Sequence, residues 1–84
     1  AVEYGQYNIN VNCIAPGIIK TDFARALWDN PAIVDAYNEK HPMRRIGYPD
    51  EVAGAAILLA SPAGRYINGQ SIVVDGGSMA GMGA

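Results

Sequence analysis

The sequence predicts an α/β fold with parallel strands. Three observations carry that expectation. Residues 9–14 and 71–75 are apolar segments with strand character, closed by Pro16-Gly17 and Gly76-Gly77. An apolar helical segment over 49–60 lies between them. The central residues of the second strand, Ile72, Val73 and Val74, are all apolar, as in a parallel sheet covered on both faces. Strands joined by a helical crossover pair in parallel, and the crossover is expected to be right-handed. Two such strands cannot bury both faces by themselves, so the unit calls for more sheet beside it.

The elements follow in order. Ala1-Val2-Glu3-Tyr4-Gly5 reads as the last turn of a helix stopped by glycine. Next, Ile9, Val11 and Ile14 are interleaved with Asn8, Asn10 and Asn12, which buries at least one strand face. Pro16 removes a backbone donor and Gly17 tolerates positive φ, so the strand stops there. From Thr21 the spacing turns helical: Phe23, Ala26 and Leu27 fall at i, i+3 and i+4, and Trp28 widens the apolar side. Asn30-Pro31 supplies an N-cap and a proline at the first helical position, starting a helix that carries Ile33, Val34 and Tyr37 to His41-Pro42.

Residues 43–47 are expected to be irregular. Pro49-Asp50-Glu51 is the strongest helix start, with proline at N1 and two carboxylates where the helix dipole favours them. Val52, Ala55, Ala56, Ile57, Leu58 and Leu59 then cover most of the circumference, so this helix should be covered on more than one side. Ser61-Pro62 ends it, and 63–69 reads as a loop. Beyond Gly77 lies a Gly/Met/Ala tail, flexible over 79–84, with Met79 and Met82 available to cover a neighbouring site or interface.

Composition narrows the function. Eighty-four residues make at most one small domain, marginal if alone because a short chain buries little more than about 60% of its unfolded surface. A net charge of −2, with Arg44-Arg45 the one adjacent basic pair, leaves no footprint for nucleic acid. The single cysteine excludes an internal disulfide, and no Cys/His cluster has metal-ligand spacing. Cys13 reads as a buried, inert thiol. The longest apolar run, 52–60, falls short of the ~20 residues that span a bilayer. A cytoplasmic setting is expected.

The most informative stretch is Ile9 to Asp22, an apolar strand running into Pro16-Gly17 and then a polar cap. In a parallel sheet this junction lies at the carboxyl end of a strand, where ligands bind. Its residues belong to a larger pattern. Glu3-Tyr4-Gly5, Asn8-Ile9-Asn10-Val11-Asn12, Ala15-Pro16-Gly17-Ile18-Ile19-Lys20-Thr21-Asp22, Gly47-Tyr48-Pro49-Asp50-Glu51-Val52-Ala53 and Asn68-Gly69-Gln70 with Val74-Asp75-Gly76-Gly77 resemble the carboxyl-terminal third of the short-chain dehydrogenase/reductase family. Asn10 departs from the arginine common in the family, at a surface-type strand position.

The resemblance implies a Rossmann-type parallel sheet to which this chain, 1–84 of a single domain, supplies the last two strands and the substrate-loop helices. It also implies hydride transfer between NAD or NADP and an alcohol or carbonyl substrate. The family's glycine-rich loop and its catalytic Asn, Ser, Tyr and Lys would precede residue 1, in a missing amino-terminal part of the same enzyme. Tyr4, Tyr7 and Lys20 do not form the family's Tyr-x-x-x-Lys motif, and Tyr37 and Lys40 are three apart rather than four. No catalytic residue is therefore assigned. A homotetramer is expected by resemblance, with the apolar helix and last strand across a two-fold axis.

The resemblance also implies five cofactor-side residues: Pro16 and Gly17 would shape the turn, Ile19 would present backbone groups to the nicotinamide carboxamide with Ile18 as neighbour, and the Thr21 hydroxyl would reach the cofactor. Thr21 also fits a helix N-cap, a role compatible with the first, and Asp22 a first-turn charge. Phe23, Leu27 and Trp28 are the substrate-side candidates, though an amphipathic helix packed on the core predicts the same residues. His41 reads as a structural histidine in a turn rather than a general base. A contrasting reading is a non-enzymatic binding or assembly module that kept the interface half of this fold.

Overall fold

A computed structural model describes residues 1–81. Two strands, β1 (Cys13–Pro16) and β2 (Ser71–Val74), pair in parallel with Cys13 opposite Ser71 and Pro16 opposite Val74. Between them run α1 (Arg25–Trp28), α2 (Pro31–Lys40) and α3 (Pro49–Ala60), and α4 (Ser78–Gly81) follows β2. The α3 helix packs against both strands.

The first strand begins four residues later than its alternating pattern suggests, because the asparagines have another use. Asn10 Nδ2 donates to Arg65 O and Asn12 Nδ2 to Ile67 O, each at 2.9 Å. Asn12 Oδ1 accepts from Gln70 N, and Asn68 Oδ1 from Val11 N, both at 2.9 Å. Side-chain amides thus stitch residues 10–12 to the loop before β2, with one backbone bond from Gly69 N to Val11 O, and the regular ladder begins at Cys13, whose N–H donates to Gln70 O. At the amino terminus the expected helix end is a 3-10 turn over Gly5–Tyr7. Its stop is Asn8, at φ 62°, rather than Gly5; asparagine is among the few residues that visit this region readily.

The helix starts are those the sequence proposes for α2 and α3. Asn30 Oδ1 accepts from Ala32 N at 3.0 Å, with Pro31 at the first helical position. At α3 the Glu51 carboxylate turns back to accept from Tyr48 N at 3.0 Å. By contrast α1 is a single turn beginning at Arg25, so Asp22 lies ahead of it and not in its first turn. Ser78–Gly81, the start of the expected flexible tail, forms a helical turn because Asp75 accepts from Gly77 N and Met79 N. Met82 lies outside the described residues.

Burial departs most from the sequence reading. Among the described residues no hydrophobic side chain is buried. In α3, Val52, Ala55 and Leu59 form a half-buried stripe, whereas Ile57 stays 68% exposed and Leu58 is exposed as well. This helix is therefore covered on one side by the described residues. In the sheet, the register places Ile14, Pro16, Ile72 and Val74 on one face, half-buried except for Pro16, and Cys13, Ala15, Ser71 and Val73 on the other, exposed except for Ala15. Cys13 is accordingly an exposed thiol and not a buried one. The described residues build one covered layer, where the apolar strand pattern anticipates two.

The connection between α2 and α3 carries the one ion pair found among the described residues. Arg45 Nη1 and Nη2 reach the two oxygens of Glu51 at 2.7 and 2.6 Å. The pair is partly solvated, so it orients the helix start more than it stabilises the fold. Hydrogen bonds from Arg45 and then from Tyr48 N–H hold the Glu51 carboxyl down at about 2, against an ordinary 4.5. A lowered folded-state value stabilises the fold in full above the ordinary value and loses that contribution as pH falls through the folded one. In the complete protein, the melting-temperature gap to Glu51→Gln should close as pH falls from about 4.5 toward about 2. Asn12→Ala removes two inter-segment hydrogen bonds and should lower stability by about 1–2 kcal/mol, read from the urea midpoint.

Candidate functional site

The site is built on the exit from β1. Gly17 N donates to Val74 O at 3.0 Å, which carries the parallel pairing one residue past the strand. A Cβ at Gly17 would lie 2.9 Å from Asp75 Cβ and 3.0 Å from Asp75 Cα, so only glycine lets the two strand ends come this close. The chain then makes an isolated parallel bridge between Ile19 and Gly47. Gly47 N donates to Ile18 O at 3.0 Å, and Lys20 N donates to Gly47 O at 2.9 Å. In a parallel bridge of this kind the central residue's own N–H and C=O point to the opposite side. Ile19 O takes Thr21 N at 2.8 Å, while Ile19 N donates to none of the described residues.

Thr21 closes the loop. Its Oγ1 accepts from Ala24 N at 3.2 Å, capping the turn ahead of α1. A hydroxyl that accepts in this way still holds its own proton to donate. Thr21 O accepts from Trp28 Nε1 at 2.7 Å, which folds α1 back over the loop. Lys20 Nζ and the Arg25 guanidinium lie 5.1 and 5.6 Å from the Trp28 ring, within cation–π reach.

All five cofactor-side candidates, Pro16, Gly17, Ile18, Ile19 and Thr21, line one open cavity of about 490 Å³. Phe23 and Leu27 stand in the same wall, both exposed. Trp28 does not line it; its indole is half-buried and bonded to the backbone behind. Ala24, Pro49 and Val52 complete the cavity; their sequence context gives Pro49 and Val52 a helical role but no site role, although both sit in the Gly47-Tyr48-Pro49-Asp50-Glu51-Val52 stretch. A volume of this size suits a small-molecule site, and its lining is mostly apolar with few polar groups. The free Ile19 N–H and the Thr21 hydroxyl are the fixed donors such a site uses to orient a ligand.

A second cleft of about 660 Å³ shares Ile18 and Ile19 and extends to His41, Arg45, Asp75 and Gly76. Sequence reasoning assigned no ligand role to this side. Asp75 is fully engaged there, since Met79 N–H and then Gly77 N–H hold its carboxyl below the usual range. Among the described residues no group of His, Cys, Asp or Glu is arranged to hold a metal ion. No helix among them is long and apolar enough to cross a membrane.

Known proteins resemble this chain in sequence and fold. A family model described as enoyl-(acyl carrier protein) reductase matches residues 1–79. Dehydrogenase/reductase SDR family member 4 of Bos taurus is 43% identical over 79 residues, covering 94% of this chain and 28% of its own length. The 3-oxoacyl-(acyl-carrier-protein) reductase FabG of Chlamydia trachomatis is 48% identical over 75 residues, 89% of this chain and 29% of its own. A gluconate 5-dehydrogenase from Burkholderia cenocepacia, solved in complex with NADP and tartrate, superposes with a TM-score of 0.86 at 42% identity. That match covers 94% of this chain and 31% of the other. The chain thus spans less than a third of the length of these relatives, and its strands and helices are those of a Rossmann-type α/β fold. With nearly every described residue accounted for in this way, the chain belongs to the short-chain dehydrogenase/reductase family.

Proposed function

We propose that this chain works as the carboxyl-terminal segment of an NAD- or NADP-dependent oxidoreductase acting on an alcohol or carbonyl substrate. The observation that carries the reading is the loop 17–21. It leaves the carboxyl end of β1 with the Ile19 N–H and the Thr21 hydroxyl unspent beside an apolar cavity. This donor set suits the carboxamide of a nicotinamide ring, and Gly17, by letting the two strand ends close on each other, sets the turn from which that loop starts. A bound nicotinamide would supply or accept the hydride. Pro16, Gly17 and Ile18 would form its wall, Ile19 and Thr21 would orient it, and the exposed Phe23 and Leu27 would exclude water on the substrate side. Trp28 supports that side from behind by holding Thr21.

The glycine-rich loop and the catalytic acid are assigned to an amino-terminal part of the same enzyme, in keeping with the share of its relatives that this chain spans. We also assign the enzyme to the cytoplasm and read it as a homotetramer. The exposed Ile57, Leu58 and Val73 suit burial against the rest of the domain and a second copy. The same apolar exposure favours the competing reading, a binding module without catalysis. Intact-mass measurement of the purified natural protein separates the two: a folded, soluble 8.9 kDa species alone would sink the enzyme reading.

Two substitutions in the complete enzyme test the site. Thr21→Ala should weaken cofactor binding or turnover by about 0.5–1.5 kcal/mol, one neutral hydrogen bond, in steady-state kinetics. Gly17→Ala forces a methyl against Asp75, and should destabilise the protein by about 1–3 kcal/mol in thermal or urea unfolding.

A further inference from the structure

We infer that His41 is a positioning residue that sets the loop 17–21, acting through the chain between α2 and α3. The inference rests on reading that loop as the nicotinamide side. Among the described residues, which bury no hydrophobic side chain, His41 is buried, at 5% exposure. Its two ring nitrogens meet opposite partners. Nε2 lies 2.6 Å from the carbonyl oxygen of Asp75, and Nδ1 lies 3.1 Å from the N–H of Met43. A carbonyl can only accept and an amide N–H can only donate, so the ring is the neutral tautomer with its proton on Nε2. Tyr37 packs at 4.8 Å from one side. Gly76, at φ 65°, lies so close that a Cβ there would strike the imidazole.

The consequence is a clamp with two jaws. At His41 the connection is fixed to the end of β2, where the Asp75 carboxylate holds its own loop through Gly77 N and Met79 N. At Gly47 the same connection is fixed to the exit of β1 through Ile18 O and Lys20 N. Between them Arg44, at φ 61°, turns the chain, with its N–H on His41 O at 3.0 Å. The bridge that directs the Ile19 N–H away from Gly47 is therefore held in place from His41. An apolar side chain could fill the same volume, but it could not fix a direction; two opposed hydrogen bonds in a dry setting do.

The test uses the complete polypeptide with His41→Gln, which keeps a donor near Nε2, His41→Asn, which keeps an acceptor near Nδ1, and His41→Ala. Ring nitrogen chemical shifts of the parent should show Nε2 protonated and Nδ1 accepting. His41→Ala should raise the Kd for NAD(H) or NADP(H) about tenfold, the loss of roughly one to two buried hydrogen bonds. It should also speed amide exchange at Gly47 and Lys20, while His41→Gln recovers most of both. A ring protonated on Nδ1 would overturn the proposal. So would parent-like Kd and exchange in all variants that fold; should His41→Ala not fold, the Gln and Asn variants decide. If the parent binds neither nicotinamide cofactor, the functional reading fails separately, and the ring shifts with Gly47 and Lys20 exchange still judge the clamp.

Discussion

The parallel pairing of β1 with β2 is the constraint from which the rest of the architecture follows. Parallel strands point the same way, so the chain must cross the whole sheet between Pro16 and Ser71, and α1, α2 and α3 are that crossing. Both strands then release their chain at the same end. There Gly17 and Asp75 come within van der Waals limits of each other, and the loops that follow are neighbours by necessity. The candidate site lies at this end because carboxyl termini of parallel strands leave a crevice between diverging loops.

What holds the crossing in place is a directed polar frame more than an apolar core. Asn10, Asn12 and Asn68 join the entry to β1 to the loop before β2, and Asp75, His41 and Gly47 join the connection to both strand exits. Meanwhile Ile57, Leu58 and Val73 remain exposed. Hydrogen bonds fix direction over a few ångströms, whereas apolar burial stabilises in proportion to area covered. The directional contacts are local to the loops, whereas much of the apolar area is left uncovered by the described residues.

The elements that were legible in the sequence are those whose signals are local. Asn30-Pro31 and Pro49-Asp50-Glu51 set the starts of α2 and α3 because capping and the helix dipole act within one turn. Ser71–Val74 was readable from its β-branched run. The start of β1 was not, because Asn10 and Asn12 find their partners 55 residues away and so leave the ladder to Cys13. Trp28 shows the same limit: helical spacing put it with Phe23 and Leu27, but its indole N–H is bound to Thr21 O behind the cavity. Pro49 and Val52 went unassigned for the converse reason, since only the crossing brings the start of α3 beside the exit of β1.

By itself the sequence determined the order of the main strands and helices, the parallel α/β class, the Pro16-Gly17 stop at the carboxyl end of the first strand and the family signatures spread along the chain. Each of these depends on residue type at a fixed local spacing. Tertiary structure alone decided which backbone groups stay unspent, that His41 sits between the Asp75 carbonyl and the Met43 N–H, and that Gly17 and Gly76 are required by neighbours far along the chain. Those facts depend on distances between segments dozens of residues apart, and local spacing does not encode a distance of that kind.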